Sequence, residues 1–159
     1  MTDPSLPGPS LPGLDQADWA GLIPHAGRMC LLDSVERWDA GAIHARSASH
    51  ARVDNPLRGE HGLHAVHLAE YGAQAMALHG ALLARARGIE TARPGMLVSL
   101  REVNLATEYV DHLDGRLDVH AQCLYADGAG AQYAFRIEHH GRLLASGRAA
   151  VIHPQGPLP

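Results

Sequence analysis

The chain contains no lysine, and all 13 of its Lys+Arg residues are therefore arginines. This absence excludes a Schiff-base lysine and the lysine of a P-loop as sources of chemistry. Cysteine is also scarce: Cys30 and Cys123 lie in separate apolar segments without CxxC spacing. Two isolated cysteines predict reduced thiols packed as small core residues, and with them a cytoplasmic location.

Long apolar runs are missing as well. No segment approaches the roughly 20 consecutive apolar residues of a transmembrane helix, and the N-terminus lacks the basic-then-apolar order of a signal peptide. The formal net charge of -4 argues against nucleic acid as the main partner. We therefore expect a soluble protein that binds neither membranes nor nucleic acid.

The composition predicts one folded domain between two tails. Residues 1–14 repeat Ser-Leu-Pro-Gly, and residues 154–159 are again rich in proline. Such segments favour mobile chain over regular structure, so residues 1–14 and 154–159 are predicted to be mobile. Residues 15–153 are enough for a single domain with its own core.

The order of the segments predicts an α+β fold. Asp15–Leu22 can form a short helix, and Leu63–Arg87 gives the only long helical pattern, with Gly88 at its C-cap. One long helix followed by hairpin-linked strands predicts an antiparallel sheet wrapped around a central helix. Strand patterns cover Met29–Trp38, Ala42–Ser49, Met96–Ala106, Leu117–Tyr125, Tyr133–Ile137 and Arg142–Ile152.

The long helix carries an acid among small residues. Carboxylates seldom lie in a close-packed part of a helix without a partner or a task. Glu70 and Gln74 are four residues apart and share a face, whereas a solvent-facing glutamate would explain the spacing equally well. A separate stripe of small side chains predicts unusually close packing of the helix. Its members are Ala69, Ala73, Ala77, Gly80 and Ala84.

Three short motifs, in order, carry a family resemblance. Ile23–Val35, with its Pro-His and an apolar run ending in Asp33, resembles the opening strand of hotdog-fold beta-hydroxyacyl-acyl-carrier-protein dehydratases. Glu70–Gln74 resembles their central-helix motif, a catalytic carboxylate followed by Ala-Gln. Asn55–Arg58, His79-Gly80 and Leu97–Val103 look most like the branch associated with aryl polyene pigment clusters.

The resemblance implies a hotdog dimer, formed with a second copy or with a related hotdog subunit, and a tunnel for acyl-phosphopantetheine at the interface. The substrate would be a 3-hydroxyacyl thioester of acyl carrier protein, dehydrated without a cofactor to the trans-2-enoyl thioester. Glu70 would protonate the departing hydroxyl, and Gln74 would orient this acid or the pantetheine. The Ala65 amide, at the helix N-terminus, would polarise the thioester carbonyl.

The base is harder to identify, because Asn55 occupies the position where these dehydratases place their catalytic histidine. Asparagine cannot act as a general base at neutral pH. We favour His64, at the first turn of the helix, or His25, in the Pro-His motif. The other imidazoles of the segment before the helix are His50, His61 and His67.

Two other functions fit the same residues. Hotdog thioesterases of the phenylacetate type use a loop Asn, a His-Gly and a helix carboxylate, here Asn55, His61-Gly62 and Glu70. Asn55 would then orient the thioester or the water, the Gly62 amide would polarise the carbonyl, and Glu70 would activate the water. A catalytically inactive acyl-chain binder, or the inactive partner in a heterodimer, is the third possibility.

A metal site is not expected, although the chain has 12 histidines. His61, His64 and His67 follow i, i+3, i+6 spacing, which drifts around a helix instead of converging on one ion.

Overall fold

The computed structural model describes residues 13–89 and 95–154. Most of the two predicted mobile tails lies outside these residues. Leu14 already belongs to the folded part, because it pairs with Val35 at the edge of the sheet.

The described chain contains seven strands and two α-helices. The helices are α1 (Gln16–Trp19) and α2 (Leu68–Ala86). The strands are β1 (Leu14–Asp15), β2 (Ser34–Trp38), β3 (Ala42–Ser47), β4 (Met96–Leu105), β5 (Leu117–Ala126), β6 (Gly130–His139) and β7 (Arg142–Ile152). Short 3-10 turns precede and follow several of them, and the turn Ala65–His67 leads directly into α2.

All seven strands form one antiparallel sheet in the order β1-β2-β3-β5-β6-β7-β4. The chain leaves the sheet after β3, runs through α2 across its inner face, and returns as β4 at the far edge. The predicted α+β architecture, an antiparallel sheet wrapped around one long helix, is confirmed. The helix also ends as predicted, since Gly88 has a positive φ of 77° and its amide donates to Arg85 O.

The first predicted strand is too long. Regular pairing covers only Ser34–Trp38, whereas Gly27–Met29 forms a 3-10 turn and residues 30–33 have no regular structure. The apolar run 30–32 is nevertheless buried. Side chains from other elements supply its hydrogen bonds, for example Gln16, which donates to Leu32 O at 2.8 Å. The alternation of apolar and polar residues that predicts strands therefore cannot reveal the structure of this segment.

The stripe of small residues does not face the sheet as expected. Ala77 and Gly80 are exposed, and Ala69 and Ala73 are only partly buried. The face that packs on the sheet carries larger side chains, such as Tyr71 and Leu78. The close approach occurs at a different residue, Gly72. A Cβ atom built there would lie 2.6 Å from Cγ of Phe135, so only glycine fits.

A buried histidine fixes the C-terminal half of α2. His79 is fully buried, and its Nε2 lies 2.7 Å from Asp39 O, which can only accept. Burial lowers the pKa of His79, which favours the neutral ring. In that form Nδ1 accepts from the Tyr133 hydroxyl, also at 2.7 Å.

The two glycines of α2 give a matched stability test. Gly72→Ala should destabilise the fold by about 1–3 kcal/mol, because the added methyl group overpacks against Phe135. Gly80→Ala should be neutral or stabilising by up to about 1 kcal/mol, because its Cβ meets nothing within 4 Å and alanine favours the helix. Urea unfolding measures both, and equal effects would contradict the proposed close packing.

Candidate functional site

A histidine and a glutamate meet at the N-terminal end of α2. His25 Nε2 lies 3.1 Å from Glu70 Oε1, although 45 residues separate them in sequence. Their side chains are 28% and 34% exposed, so the pair is reachable from solvent in the single chain. Glu70 lies in the first turn of α2, at the end of the helix where the macrodipole stabilises negative charge.

Gln74 holds the segment that follows His25 against the helix. This side chain is fully buried, its Oε1 accepts from the Leu31 amide at 2.9 Å, and its Nε2 donates to Met29 O at 2.7 Å. Nε2 also lies 3.4 Å from Glu70 Oε1. Gln74 therefore binds the backbone that follows His25 and the acid that His25 contacts.

Glu70 opens onto an apolar groove with a volume of about 290 Å³. The groove lies between the first turns of α2 and the first half of β4. Apart from Glu70 and His67, its lining is apolar, which suits an acyl or aryl chain beside a reacting carboxyl group. The lining residues are Met29, Leu57, Val66, His67, Ala69, Glu70, Ala73, Leu97 and Leu100.

Of the two favoured bases, the structure brings only His25 to the acid. His64 Nδ1 accepts from the Val66 amide at 3.0 Å, and the ring packs edge-on against Tyr109. It caps the turn before α2, and neither it nor His25 lines the groove. Of the other three imidazoles, His61 is exposed, His67 lines the groove, and His50 is fully buried with Nε2 donating to Leu113 O at 2.8 Å.

Asn55 does not present its amide to a substrate. Its side chain is buried, with Nδ2 donating to Ser49 O at 2.9 Å and to the Tyr71 hydroxyl at 3.1 Å. Its Oδ1 accepts from the Leu57 amide at 2.9 Å. Both ends of the side-chain amide are thus used to hold the loop.

The two backbone amides expected to polarise a carbonyl are also occupied. The Ala65 N–H donates to Glu108 O at 2.8 Å, so the expected free donor at the helix N-terminus is not free. The Gly62 N–H donates to Gly59 O at 3.2 Å within a tight turn. Neither amide is therefore free in this structure: a distant loop accepts from Ala65, and the carbonyl of its own turn accepts from Gly62.

Sequence reasoning missed the walls of the groove. Met29, Leu57 and Leu97 come from three distant segments, and only the position of β4 at the sheet edge brings Leu97 to α2.

Residues 13–89 and 95–154 contain no group of three or more His, Cys, Asp or Glu side chains that could hold a metal ion. Within the same ranges, no helix has the length and apolar character needed to cross a membrane.

Comparison with known proteins identifies the family of this arrangement. Residues 17–158 match the family model described as "ApeP-like: ApeP dehydratase". No curated protein matches the chain.

Solved structures share the fold. The dehydratase heterocomplex ApeI:P from Xenorhabdus doucetiae matches with a TM-score of 0.75 and 22% identity, over 84% of this chain and 89% of that chain. AziG of S. sahachiroi matches with a TM-score of 0.57 and 22% identity, over 84% and 98%. A hypothetical thioesterase from Streptococcus pneumoniae TIGR4, solved with coenzyme A, matches with a TM-score of 0.59 and 15% identity, over 87% and 96%. Together they confirm the hotdog fold expected from the resemblance.

The hydrogen bonds of Asn55 predict a structural effect of its removal. Asn55→Ala should lower the free energy of unfolding by about 1–3 kcal/mol, because it leaves the Leu57 amide and Ser49 carbonyl without their partner. Arg136→Ala is the control, since that exposed side chain of the interior strand β6 makes one bond, to Glu138 Oε1. Thermal unfolding compares the two variants, and equal stability losses would contradict the buried role.

Proposed function

Because the chain belongs to the ApeP-like dehydratase family, we propose that it removes water from a 3-hydroxyacyl thioester to give a trans-2-enoyl thioester. Acyl carrier protein presents the acyl group on its phosphopantetheine arm. The acyl or aryl chain lies in the apolar groove, with its β-hydroxyl at Glu70. The contact between His25 Nε2 and Glu70 Oε1 is the observation that carries this proposal.

The paired groups account for the protons of the reaction. His25, as the base, takes the proton on the carbon next to the thioester carbonyl. The bond from the β-carbon to its hydroxyl then breaks, and the hydroxyl takes a proton from the Glu70 carboxyl group and leaves as water. This step leaves an imidazolium beside a carboxylate. A proton passing along their hydrogen bond restores both groups, and the helix N-terminus stabilises the carboxylate until it does.

The same geometry disfavours the hydrolase alternative. That function needs the Asn55 amide and the Gly62 N–H to face the thioester, yet both are bonded to neighbouring backbone. The likeness to a hypothetical thioesterase lies at 15% identity and carries only the fold.

A second hotdog subunit completes the proposed site, either another copy of this chain or a related dehydratase subunit. β4 lies at the sheet edge, and β7 is its only neighbour among the described strands. Six large apolar side chains of β4 are more than a third exposed, which is a liability for an isolated edge strand. They are Met96, Leu97, Val98, Leu100, Val103 and Leu105.

The open edge and the open groove are parts of one surface. Leu97 and Leu100 belong both to the exposed strand and to the lining of the groove. A carboxyl group that donates a proton near neutral pH needs an apolar, water-poor surrounding. Since a third of the Glu70 side chain is exposed in the single chain, a subunit seated on β4 would supply the missing enclosure. The similarity to a dehydratase heterocomplex supports such pairing.

Glu70→Gln tests the reaction. It should lower dehydration at least about a hundredfold, because the amide cannot supply the proton that the hydroxyl needs. Glu60→Gln, at an exposed loop residue, should keep the native rate. The assay incubates each protein with 3-hydroxyacyl carrier protein and follows its intact mass, alone and together with a co-expressed related subunit.

The products separate the candidate functions. Loss of one water with the acyl chain still attached supports the dehydratase. Release of the free acid would identify a thioesterase, and no product in either assembly would leave an acyl-chain binder. Native-like dehydration by Glu70→Gln would refute the assigned acid.

The edge strand gives a test of the assembly. Val98→Lys should shift the protein from dimer toward monomer at concentrations where the native chain, or its complex with the related subunit, is dimeric. An edge lysine would have to be buried between the paired sheets. Leu124→Lys, at an equally exposed site of the interior strand β5, should leave the dimer intact. Light scattering measures the mass, and an unchanged dimer in Val98→Lys would contradict pairing through β4.

A further inference from the structure

A buried chain of hydroxyl groups ends on the backbone that Gln74 holds. Tyr71 is fully buried in α2, and its hydroxyl lies 2.7 Å from Ser49 Oγ. Ser49 Oγ donates to Leu31 O at 2.7 Å. Ser47 Oγ donates to the same carbonyl, and Asn55 Nδ2 donates to the Tyr71 hydroxyl at 3.1 Å.

Along this series of hydroxyl groups, each hydrogen bond is donated toward Leu31 O. The Tyr71 oxygen already accepts from Asn55, and the Ser49 proton is committed to Leu31 O. The short contact between the two hydroxyl groups therefore has Tyr71 as its donor. Burial raises the pKa of Tyr71, so the phenol keeps the proton that it donates.

Leu31 is bonded both to the series of hydroxyl groups and to Gln74. Its carbonyl is held by the hydroxyl chain that starts at Tyr71, and its amide is held by Gln74 Oε1. Neither group pairs with the backbone of a neighbouring strand, although the carbonyl also accepts from the Ser47 hydroxyl at the end of β3. Gln74 directly, and Tyr71 through Ser49, thus connect α2 to the segment that follows His25.

We propose that Tyr71 is a positioning residue for the His25–Glu70 pair, acting through Ser49 and the Leu31 backbone. This inference rests on the proposed function, in which His25 and Glu70 do the chemistry. Glu70 and Tyr71 are adjacent in α2, so the helix that carries the acid also sets, through the Tyr71 hydroxyl, where the base lies. Asn55 fixes the Tyr71 hydroxyl by donating to it.

The chain provides a matched tyrosine for the test. Tyr133 is also buried, and its hydroxyl lies 2.7 Å from a buried side chain of α2, that of His79. It differs from Tyr71 in holding the C-terminal half of the helix and in having no link to Leu31. Tyr71→Phe and Tyr133→Phe each remove one buried hydroxyl group and nothing else.

The experiment compares these variants in the assembly that is active. Both should lower Tm by a few degrees, because Tyr71→Phe loses the hydrogen bonds to Ser49 and Asn55, and Tyr133→Phe loses the one to His79. Only Tyr71→Phe should lower kcat, by about tenfold or more with KM changed less than about twofold, since displacement of a positioned group costs turnover rather than binding. Ser49→Ala removes the hydroxyl group between Tyr71 and Leu31. It should also lower kcat with little change in KM, even where Tyr71→Phe does not fold.

A spectroscopic arm makes the result independent of turnover. The ¹⁵N signals of the His25 imidazole are identified by their loss in His25→Gln. They should move in Tyr71→Phe or Ser49→Ala, as the hydrogen bond to Glu70 loosens, and stay in place in Tyr133→Phe. Unmoved signals, or equal kcat in the Tyr71 and Tyr133 variants, would overturn the positioning role. A native protein without dehydratase activity would instead refute the proposed function, while the ¹⁵N signals still decide the role of Tyr71.

Discussion

The candidate site depends on the two bonds that the Gln74 side chain makes to a stretch of irregular backbone. Residues 29–31 are buried, or nearly so, without a strand partner for Met29 or Leu31, so their polar groups would be costly if left unpaired. Gln74 pairs with Met29 O and the Leu31 amide from inside α2. This attachment fixes the backbone that lies a few residues after His25.

The packed face of α2 is unusually polar for a central helix. Tyr71, Gln74 and His79 are all fully buried, and each finds a specific partner outside the helix. Such groups allow few alternative packings, because a rotation or a shift of the helix by one residue would leave each of them unpaired in the core. Gly72 adds a steric limit, since its contact with Phe135 allows no side chain. These constraints keep Glu70 on the border between the core and the groove.

Patterns within the sequence predicted the parts of the fold that depend on local chemistry. The alternation in β5 and β6 and the glycine that ends α2 were sufficient for those elements. Residues 27–33 could not be predicted, because much of their hydrogen bonding comes from side chains far away in sequence, as with Gln16, Ser47 and Gln74. The site divides in the same way. The i, i+4 spacing identified Glu70 and Gln74, whereas only the resemblance of the Pro-His motif indicated His25, and nothing local showed that Glu108 accepts from Ala65.

The edge strand and the acid impose the same requirement on this protein. An isolated chain leaves the apolar side chains of β4 in water and leaves Glu70 a third exposed. Hydrophobic burial at β4 would stabilise an assembly, and the same contact would remove water from the groove that Leu97 and Leu100 line. Assembly and enclosure of the acid are thus one event in the proposed mechanism. A change at β4 that prevents pairing would therefore remove turnover even though it touches neither His25 nor Glu70.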